Sequence, residues 1–380
     1  MRLSKAGWLC LILTLAVACS DDNTDDKIPP AQTDGQDASQ AQAAATRPRP
    51  QVIEVFNVGP TTYVRSLAIE AGSNRLWVGT SLGVNEIDLD SHALLNTFTR
   101  DHGLANEYVF GIGIDPDGYK WFGTNAGGMS RYKDGEWKTF FPMHGLADYW
   151  IYAFANDLDG GLWIGTWAGA NYLDRQTQEF RTYVKELINE WVYGISVDSK
   201  GVVWFGTEGG VSRFDGETWT AWNHEDGLGG ENPDALPFSR NTGLGTRSRH
   251  DLGILAGGKA TYNPGYIFSI LADHEDTIWA GTWGGGVTRY KNGAWTNLME
   301  KDGLAGNIVY SIAQGPDGSY WFGTDKGLSR YDGKNWDSWN VHHGLPNNDV
   351  YAIAIEAGGN VWVGTLGGVS RLGMKPAAAQ

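Results

Sequence analysis

VYSIAQGPDGSYWFGTDKGLSRYDGKNWDSW, residues 309–339, holds four short β-prone segments in succession. Residues 309–313 alternate bulky and small side chains, the pattern of a strand with two different faces. Gly315-Pro316-Asp317-Gly318 turns the chain, because proline presets φ and glycine accepts a positive φ. Residues 320–324 form a second strand, Lys326-Gly327 turns it, and residues 328–331 form a third. Asp332-Gly333 is a strong hairpin signal, and residues 335–339 make the fourth strand.

The centre of that unit, Trp321-Phe322-Gly323-Thr324, recurs as Trp-x-Gly-Thr at Trp77, Trp121, Trp163, Trp204, Trp279 and Trp362. Along the chain the seven sites are 44, 42, 41, 75, 42 and 41 residues apart. A period near 42 matches one four-stranded blade, so the sequence predicts an all-β chain, a seven-bladed β-propeller with four-stranded blades. Fourth-strand positions agree along the chain: Leu95, Trp137, Phe180, Trp219, Trp295 and Trp336 share one column. Three residues on stand Phe98, Phe140, Tyr183, Trp222, Leu298 and Trp339. The seventh unit runs out after Arg371 and Leu372 without a fourth strand. Ile53 and Phe56 match the two columns, so the last blade is expected to be closed by the N-terminal strand, which removes exposed sheet edges. The 75-residue interval has no Trp anchor between Trp222 and Trp279 and reads as a long loop insertion over 224–264, a length that points to function in a compact fold.

The net charge is −15, and such acidity repels phosphate backbones, so nucleic acid is not expected as a partner. Both cysteines, Cys10 and Cys19, lie near the start, which leaves the body without a disulfide, a thiolate metal site or a cysteine nucleophile. Arg2 and Lys5 precede an apolar run, Gly7 to Val17, that is too short to span a bilayer and fits a signal peptide. The run ends Ala16-Val17-Ala18-Cys19, which resembles the lipobox of bacterial lipoproteins, although leucine is commonest where Ala16 stands. The resemblance implies a signal peptide over 1–18 and lipidation of Cys19; ordinary secretion with a free Cys19 is the alternative. Ser20 after the cysteine resembles outer-membrane sorting signals, and Asp21-Asp22 is similar to surface-export tags of some Bacteroidetes lipoproteins. Residues 19–50 are then a lipidated cysteine and a disordered tether, 51–373 the propeller, and 374–380 a C-terminal tail. The expected location is the cell envelope, lipid-anchored at the outer membrane and facing the periplasm or the cell surface, with the lipid anchor as the sole membrane contact.

Across residues 51–373 the Trp-x-Gly-Thr-x-x-Gly-Gly-Val-Ser-Arg-Tyr-Asp-Gly pattern resembles the regulator-propeller repeats of periplasmic sensor regions in two-component hybrid kinases. The resemblance implies the fold and says little of any one ligand. The sequence shows neither a transmembrane helix nor a kinase, so signalling as in those proteins is not expected without a partner protein. By resemblance to other propellers, the fourth-to-first and second-to-third loops share one face, where ligands are expected.

On that face the position opening each first strand is Tyr63, Tyr108, Trp150, Trp191, Tyr266, Ile308 and Asp349. The position after each Gly-Thr is Ser81, Asn125, Trp167, Glu208, Trp283, Asp325 and Leu366. Sugars present flat apolar faces rimmed by hydroxyls, so aromatic rings beside Glu107, Glu190 and Glu208 suit a carbohydrate or another small extracellular ligand. The alternative is that these rings only plug the blade tops. Arg65 breaks a column otherwise filled by Phe110, Tyr152, Tyr193, Phe268, Tyr310 and Tyr351; it either holds a ligand carboxylate or pairs with Asp349 across the closure. Asp115-Pro116-Asp117-Gly118 and Asp157-Leu158-Asp159-Gly160 lack the bidentate Glu of a calcium loop and read as hairpin turns. His102, His144 and His343 alternate with Asp226 and Asp302 before Gly-Leu, which reads as a turn cap rather than a metal ring, and no metal or cofactor is expected. Arg131, Arg213, Arg289, Arg330 and Arg371 recur once per unit, as blade-to-blade contacts would.

Three functions fit: a non-catalytic binding or sensor module, an enzyme, and a protein scaffold of the envelope. Streptogramin lyases and some polysaccharide lyases share the seven-bladed fold. In the insertion, Arg240, Arg247, Arg249 and His250, with Tyr262 or Tyr266, would serve a lyase by neutralising a carboxylate and moving a proton. The binding module is the preferred reading.

Overall fold

The physical content of Trp-x-Gly-Thr sets the architecture. In a computed structural model, which describes residues 48–239 and 261–374, the seven motif tryptophans are between 0% and 4% exposed. Six of them donate their indole N–H to a carboxylate just upstream: Trp121 to Asp115 at 2.9 Å, Trp163 to Asp157 at 3.1 Å and Trp204 to Asp198 at 3.2 Å. Trp77, Trp279 and Trp362 use Glu70, Asp273 and Glu356. The first Asp of each Asp-x-Asp-Gly turn therefore caps a buried indole, because a buried N–H needs an acceptor. The motif glycine marks close approach of the next blade: a methyl group added at Gly123 would lie 2.7 Å from the Ile151 carbonyl oxygen, and at Gly281 2.6 Å from that of Val309. The threonine hydroxyl donates to a carbonyl across the next turn, as Thr166 does to Gly169 at 2.7 Å.

Among the described residues these units form seven antiparallel four-stranded sheets, the blades of a β-propeller. Blade 1 runs through Val64–Glu70, Arg75–Thr80, Gly83–Asp88 and Leu94–Phe98, and blades 2 to 6 repeat that order. In blade 7, Val350–Ile355, Val361–Thr365 and Gly368–Gly373 are joined by Gln51–Asn57, which pairs antiparallel with Gly368–Gly373 from Gln51 opposite Gly373 to Asn57 opposite Gly368. The N-terminal strand thus closes the ring. It also reaches its neighbours: the Trp339 indole of blade 6 donates to the Pro50 carbonyl at 3.0 Å, and His92 of blade 1 lies 2.8 Å from Glu54.

Two alignments are corrected by bulges. The register shifts between Val52 and Glu54, so Val52 faces Leu372 while Ile53 turns outward, 38% exposed. Phe56 keeps its expected column, 5.6 Å from the Trp362 ring. In blade 1 a similar slip puts Leu94 opposite Ile87 in place of Leu95. The repeated arginines are the second correction. Arg131, Arg213, Arg289, Arg330 and Arg371 sit opposite their own blade's tryptophan, with guanidinium to ring distances of 5.6 to 5.8 Å. They are cross-strand cation–π contacts within a blade.

The inner strands share a device that positions the channel. In every blade the register with the second strand shifts around one residue: Arg65, Phe110, Tyr152, Tyr193, Phe268, Tyr310 or Tyr351. A bulge re-aims its extra side chain, and these seven side chains together line the central cavity. The column seen in the sequence is the wall of the channel.

Candidate functional site

The 3-10 turns after the outer strands set the rim of one face. At Thr99, Phe141 and Asn340 the backbone N–H donates to Nδ1 of His102, His144 and His343, at 3.1, 3.0 and 3.2 Å. At Asn223 and Met299 the acceptor is the carboxylate of Asp226 or Asp302, at 2.9 Å each. His and Asp interchange because both supply an acceptor at that distance, which is the turn cap that the sequence suggests.

The two variable columns meet on this face. Backbone N–H of Asn125, Trp167, Glu208 and Asp325 donates to the carbonyl of Tyr108, Trp150, Trp191 and Ile308, the residues that open the adjacent inner strands. Fourth-to-first and second-to-third loops therefore share an end of the ring. The strand-opening residues are held by an Asx turn that the sequence reading missed: Asn106, Asp148, Asn189 and Asn347 each accept from the N–H two residues on. Its signal is an Asn or Asp two positions before each of those strand-opening residues.

Trp150, Trp167, Trp191, Tyr266 and Trp283 gather into one aromatic cluster with Tyr152 and Tyr193. Trp167 lies 4.9 Å from Trp191, and Tyr266 stacks on Trp283 at 6.2 Å. Trp167 and Trp283 are 8% and 4% exposed, and the Trp283 indole donates to Thr261 at 2.9 Å. These two rings form a floor more than an open platform. Tyr63, Tyr108 and Arg65 sit at blades 1 and 2, outside that set of tryptophans, with the Arg65 Nε donating to the Tyr108 hydroxyl at 3.2 Å. Glu107 is bound to Arg100 at 2.7 Å, which holds its carboxyl below the usual range. Asp325, in the column after Gly-Thr, is pushed up to about 6 by burial.

The open site lies at blades 4 and 5. Residues 224–226 belong to the recurrent 3-10 turn and Asn263–Ala272 is the lengthened inner strand of blade 5, so the extra residues lie between them. The described part of the insertion folds back: Ser239 N–H donates to the Tyr262 carbonyl and Tyr262 N–H to that of Pro237, each at 3.0 Å. The Tyr262 hydroxyl donates to the Gly230 carbonyl at 2.6 Å and lies 3.4 Å from His224 Nε2. Burial, with Glu231 nearby, pushes that phenol up to about 12. The walls enclose a cleft of about 620 Å³, within the range of small-ligand sites. Glu190, Trp191 and Glu208 line it together with His224, Glu225 and Phe238. Phe238 is 55% exposed, an apolar ring presented to solvent inside the cleft. Glu208 accepts a hydrogen bond from the channel residue Tyr193 at 3.2 Å, which fixes its carboxylate. Among the described residues lining the cleft there is no Lys or Arg. Arg240, Arg247, Arg249 and His250 lie outside the described residues, as does Cys19.

Three stretches, residues 186–209, 303–326 and 344–367, match the family model described as Two component regulator propeller. No curated protein matches the sequence. The fold is similar to the extracellular domain of BT3049 from B. thetaiotaomicron, a domain named for a hybrid two component system. The TM-score is 0.65 at 20% identity, covering 82% of this chain and 39% of that one. The extracellular domain of BT4673 from the same organism, named likewise, gives 0.63 at 18% identity over 87% and 40%. A streptogramin B lyase gives 0.62 at 16% identity over 86% and 98%. At these identities the likeness is one of fold. The chain spans about two fifths of the length of the two extracellular domains.

Proposed function

We propose that this regulator-propeller chain is a non-catalytic ligand-binding or sensor-type module of the cell envelope, and that it takes a carbohydrate or a similar extracellular small molecule in the cleft at blades 4 and 5. The observation that carries this reading is the cleft itself: an exposed Phe238 ring and Trp191 stand among Glu190, Glu208, Glu225, His224 and Asn263. Rings pack against the apolar face of a sugar, and carboxylates and amides accept and donate to its hydroxyls. Trp150, Trp167, Trp283 and Tyr266 belong to the same proposal as the aromatic layer behind the cleft, while Tyr63, Tyr108, Arg65 and Glu107 sit elsewhere on the ring.

The test is a glycan array with the full chain, then titration of a hit. Phe238→Ala should weaken binding about 2- to 10-fold, from roughly 0.5–1.5 kcal/mol of ring contact. Glu208→Gln should weaken it while the fold is kept, because the amide oxygen still accepts from Tyr193. Binding unchanged in both variants would place the site elsewhere.

One observation favours a lyase as a second reading: His224, which lines the cleft, lies 3.4 Å from the hydroxyl of the buried Tyr262 behind it. A lyase also uses the insertion residues Arg247, Arg249 and His250. Its signature is an unsaturated product from the bound ligand, which a binding module does not release.

Location is part of the proposal. Among the described residues no helix is long and apolar enough to cross a membrane, and the lipobox-like Ala16-Val17-Ala18-Cys19 supports an anchor on Cys19 at the outer membrane. Cys19→Ala should move the protein from the membrane to the soluble fraction; continued membrane association defeats the anchor. Signalling or uptake then requires a partner protein.

A further inference from the structure

The central channel is separate from the cleft and carries a charge of its own. Its wall has one residue from each blade, at the bulge that all seven inner strands share. Six of the seven are aromatic and uncharged; the seventh is Arg65. The shared bulge aims this position at the axis whatever residue occupies it, so the guanidinium is delivered into the aromatic ring by the backbone. The cavity there measures about 100 Å³.

A guanidinium taken out of bulk water needs compensation for its charge and acceptors for its five N–H groups. Among the described residues Arg65 has one hydrogen-bond acceptor, the Tyr108 hydroxyl. Its charge is met by two ring faces, Tyr351 at 4.1 Å and Tyr63 at 4.7 Å from the guanidinium carbon. Ring faces attract a cation but accept little from the in-plane N–H fork, which matches the two oxygens of a planar anion. The phenols do not supply that anion: burial raises Tyr193 and Tyr310 well above the usual phenol range, so both stay neutral. Burial pulls the Arg65 guanidinium down, but Tyr108 and Tyr351 outweigh it and the group stays charged.

We propose that the channel is an anion site in which Arg65 holds a carboxylate by its guanidinium edge, inside the ring formed by Phe110, Tyr152, Tyr193, Phe268, Tyr310 and Tyr351. The volume admits about three waters at roughly 30 Å³ each, or one carboxylate of the size of formate or acetate. The oxyanion is either a free small acid or the carboxylate arm of a larger molecule seated on the face above. This inference does not rest on the cleft being the ligand site.

The experiment uses the full chain, with sodium formate and acetate at constant ionic strength and sodium fluoride as the balancing salt. Formate should raise Tm with the logarithm of its concentration above Kd, by a few degrees at about ten times Kd, because it binds the folded state alone. The carbon-13 line of labelled formate should broaden on adding protein. Arg65→Tyr, which restores the residue found in four other blades, should fold, lose the Tm shift and leave the formate line sharp. Arg65→Lys keeps the charge without the planar fork and should bind at least 10-fold more weakly. Glucuronate distinguishes the two sources: displacement of labelled formate marks a carboxylate arm from above, and no displacement marks a free small acid. Formate shifts and line widths equal in wild type and Arg65→Tyr would overturn the proposal, as would a wild-type protein with neither a formate-dependent Tm shift nor broadening.

Discussion

Deleting residues 51–57 is expected to collapse the whole ring's stability, with Tm lowered by 10 °C or more and the unfolding transition broadened. The strand contributes the outer edge of blade 7 through six register pairs with Gly368–Gly373. Its removal uncovers the Trp362 side that Phe56 covers and leaves an open edge next to it. An unpaired edge also invites pairing with another copy, so the deletion variant should self-associate. The same strand touches blade 6 through the Pro50 carbonyl and blade 1 through the contact between Glu54 and His92. Losing it thus opens the ring at both neighbours. Phe56→Ala, which spares the backbone pairing, should cost less, on the order of 1–3 kcal/mol for a half-buried ring. A deletion variant with the parental Tm in differential scanning calorimetry contradicts the closure account.

The second large effect is expected at a blade anchor. Trp279→Ala should lower stability by about 3–5 kcal/mol, the range for a large buried ring replaced by a cavity. Trp279 is 2% exposed and wedges between blades 5 and 6, with Tyr320 at 4.3 Å and Phe322 at 5.8 Å. Asp273 accepts both the Trp279 indole N–H, at 2.9 Å, and the Tyr320 hydroxyl, at 2.6 Å. Burial acts to raise this carboxyl, but the bonds from Tyr320 and Trp279 outweigh it and hold it below the ordinary range, so it stays ionised at neutral pH. Asp273→Ala strands both donors and should cost about 2–4 kcal/mol. Because the two residues act on one interaction, the double variant should cost less than the sum. Chemical denaturation of the four proteins measures the cycle. Additive costs would show that the carboxylate does not serve the anchor.

The fold is legible in the sequence because each motif residue has a fixed physical task. A tryptophan every 42 residues or so is a wedge between blades, the glycine is a place where the next strand passes, and the threonine ties a turn. Periodicity exposes all three without knowledge of contacts. Register is less legible. Ile53 and Leu95 fall in the right column by counting, but a bulge in each outer pairing moves Val52 and Leu94 into place. A bulge adds one residue without changing composition, so counting along the chain cannot find it. The arginine column shows a related limit: its period is visible, while its partner lies across the sheet within the blade.

The channel column is legible as a column, and Arg65 as its exception, from sequence alone. The bulge that turns it inward belongs to the backbone. Part of the cleft is legible in the same way, since Glu190, Trp191 and Glu208 come from repeat positions whose residue type varies from blade to blade. Phe238 reaches the cleft through the fold-back of the insertion, outside the repeat, while His224 and Glu225 belong to the recurrent 3-10 turn, where nothing in the repeat pattern marks them as cleft-lining. Trp167 and Trp283 stand in the variable column after each Gly-Thr, where other blades carry Ser81, Asn125, Glu208, Asp325 and Leu366. Their burial and the bond from Trp283 to Thr261 give them a packing task in the aromatic cluster that they share with Trp191.

The central claim is that the chain holds a ligand in the cleft at blades 4 and 5 without transforming it. The measurement is a calorimetric titration of an array-selected glycan into the full chain and into the Phe238→Ala, Glu208→Gln double variant, with the recovered glycan analysed for new unsaturation. The account predicts saturable binding to the parent, at least 10-fold weaker binding to the variant, and glycan recovered intact. Equal affinity for the two proteins, or an unsaturated product formed by the parent, contradicts it.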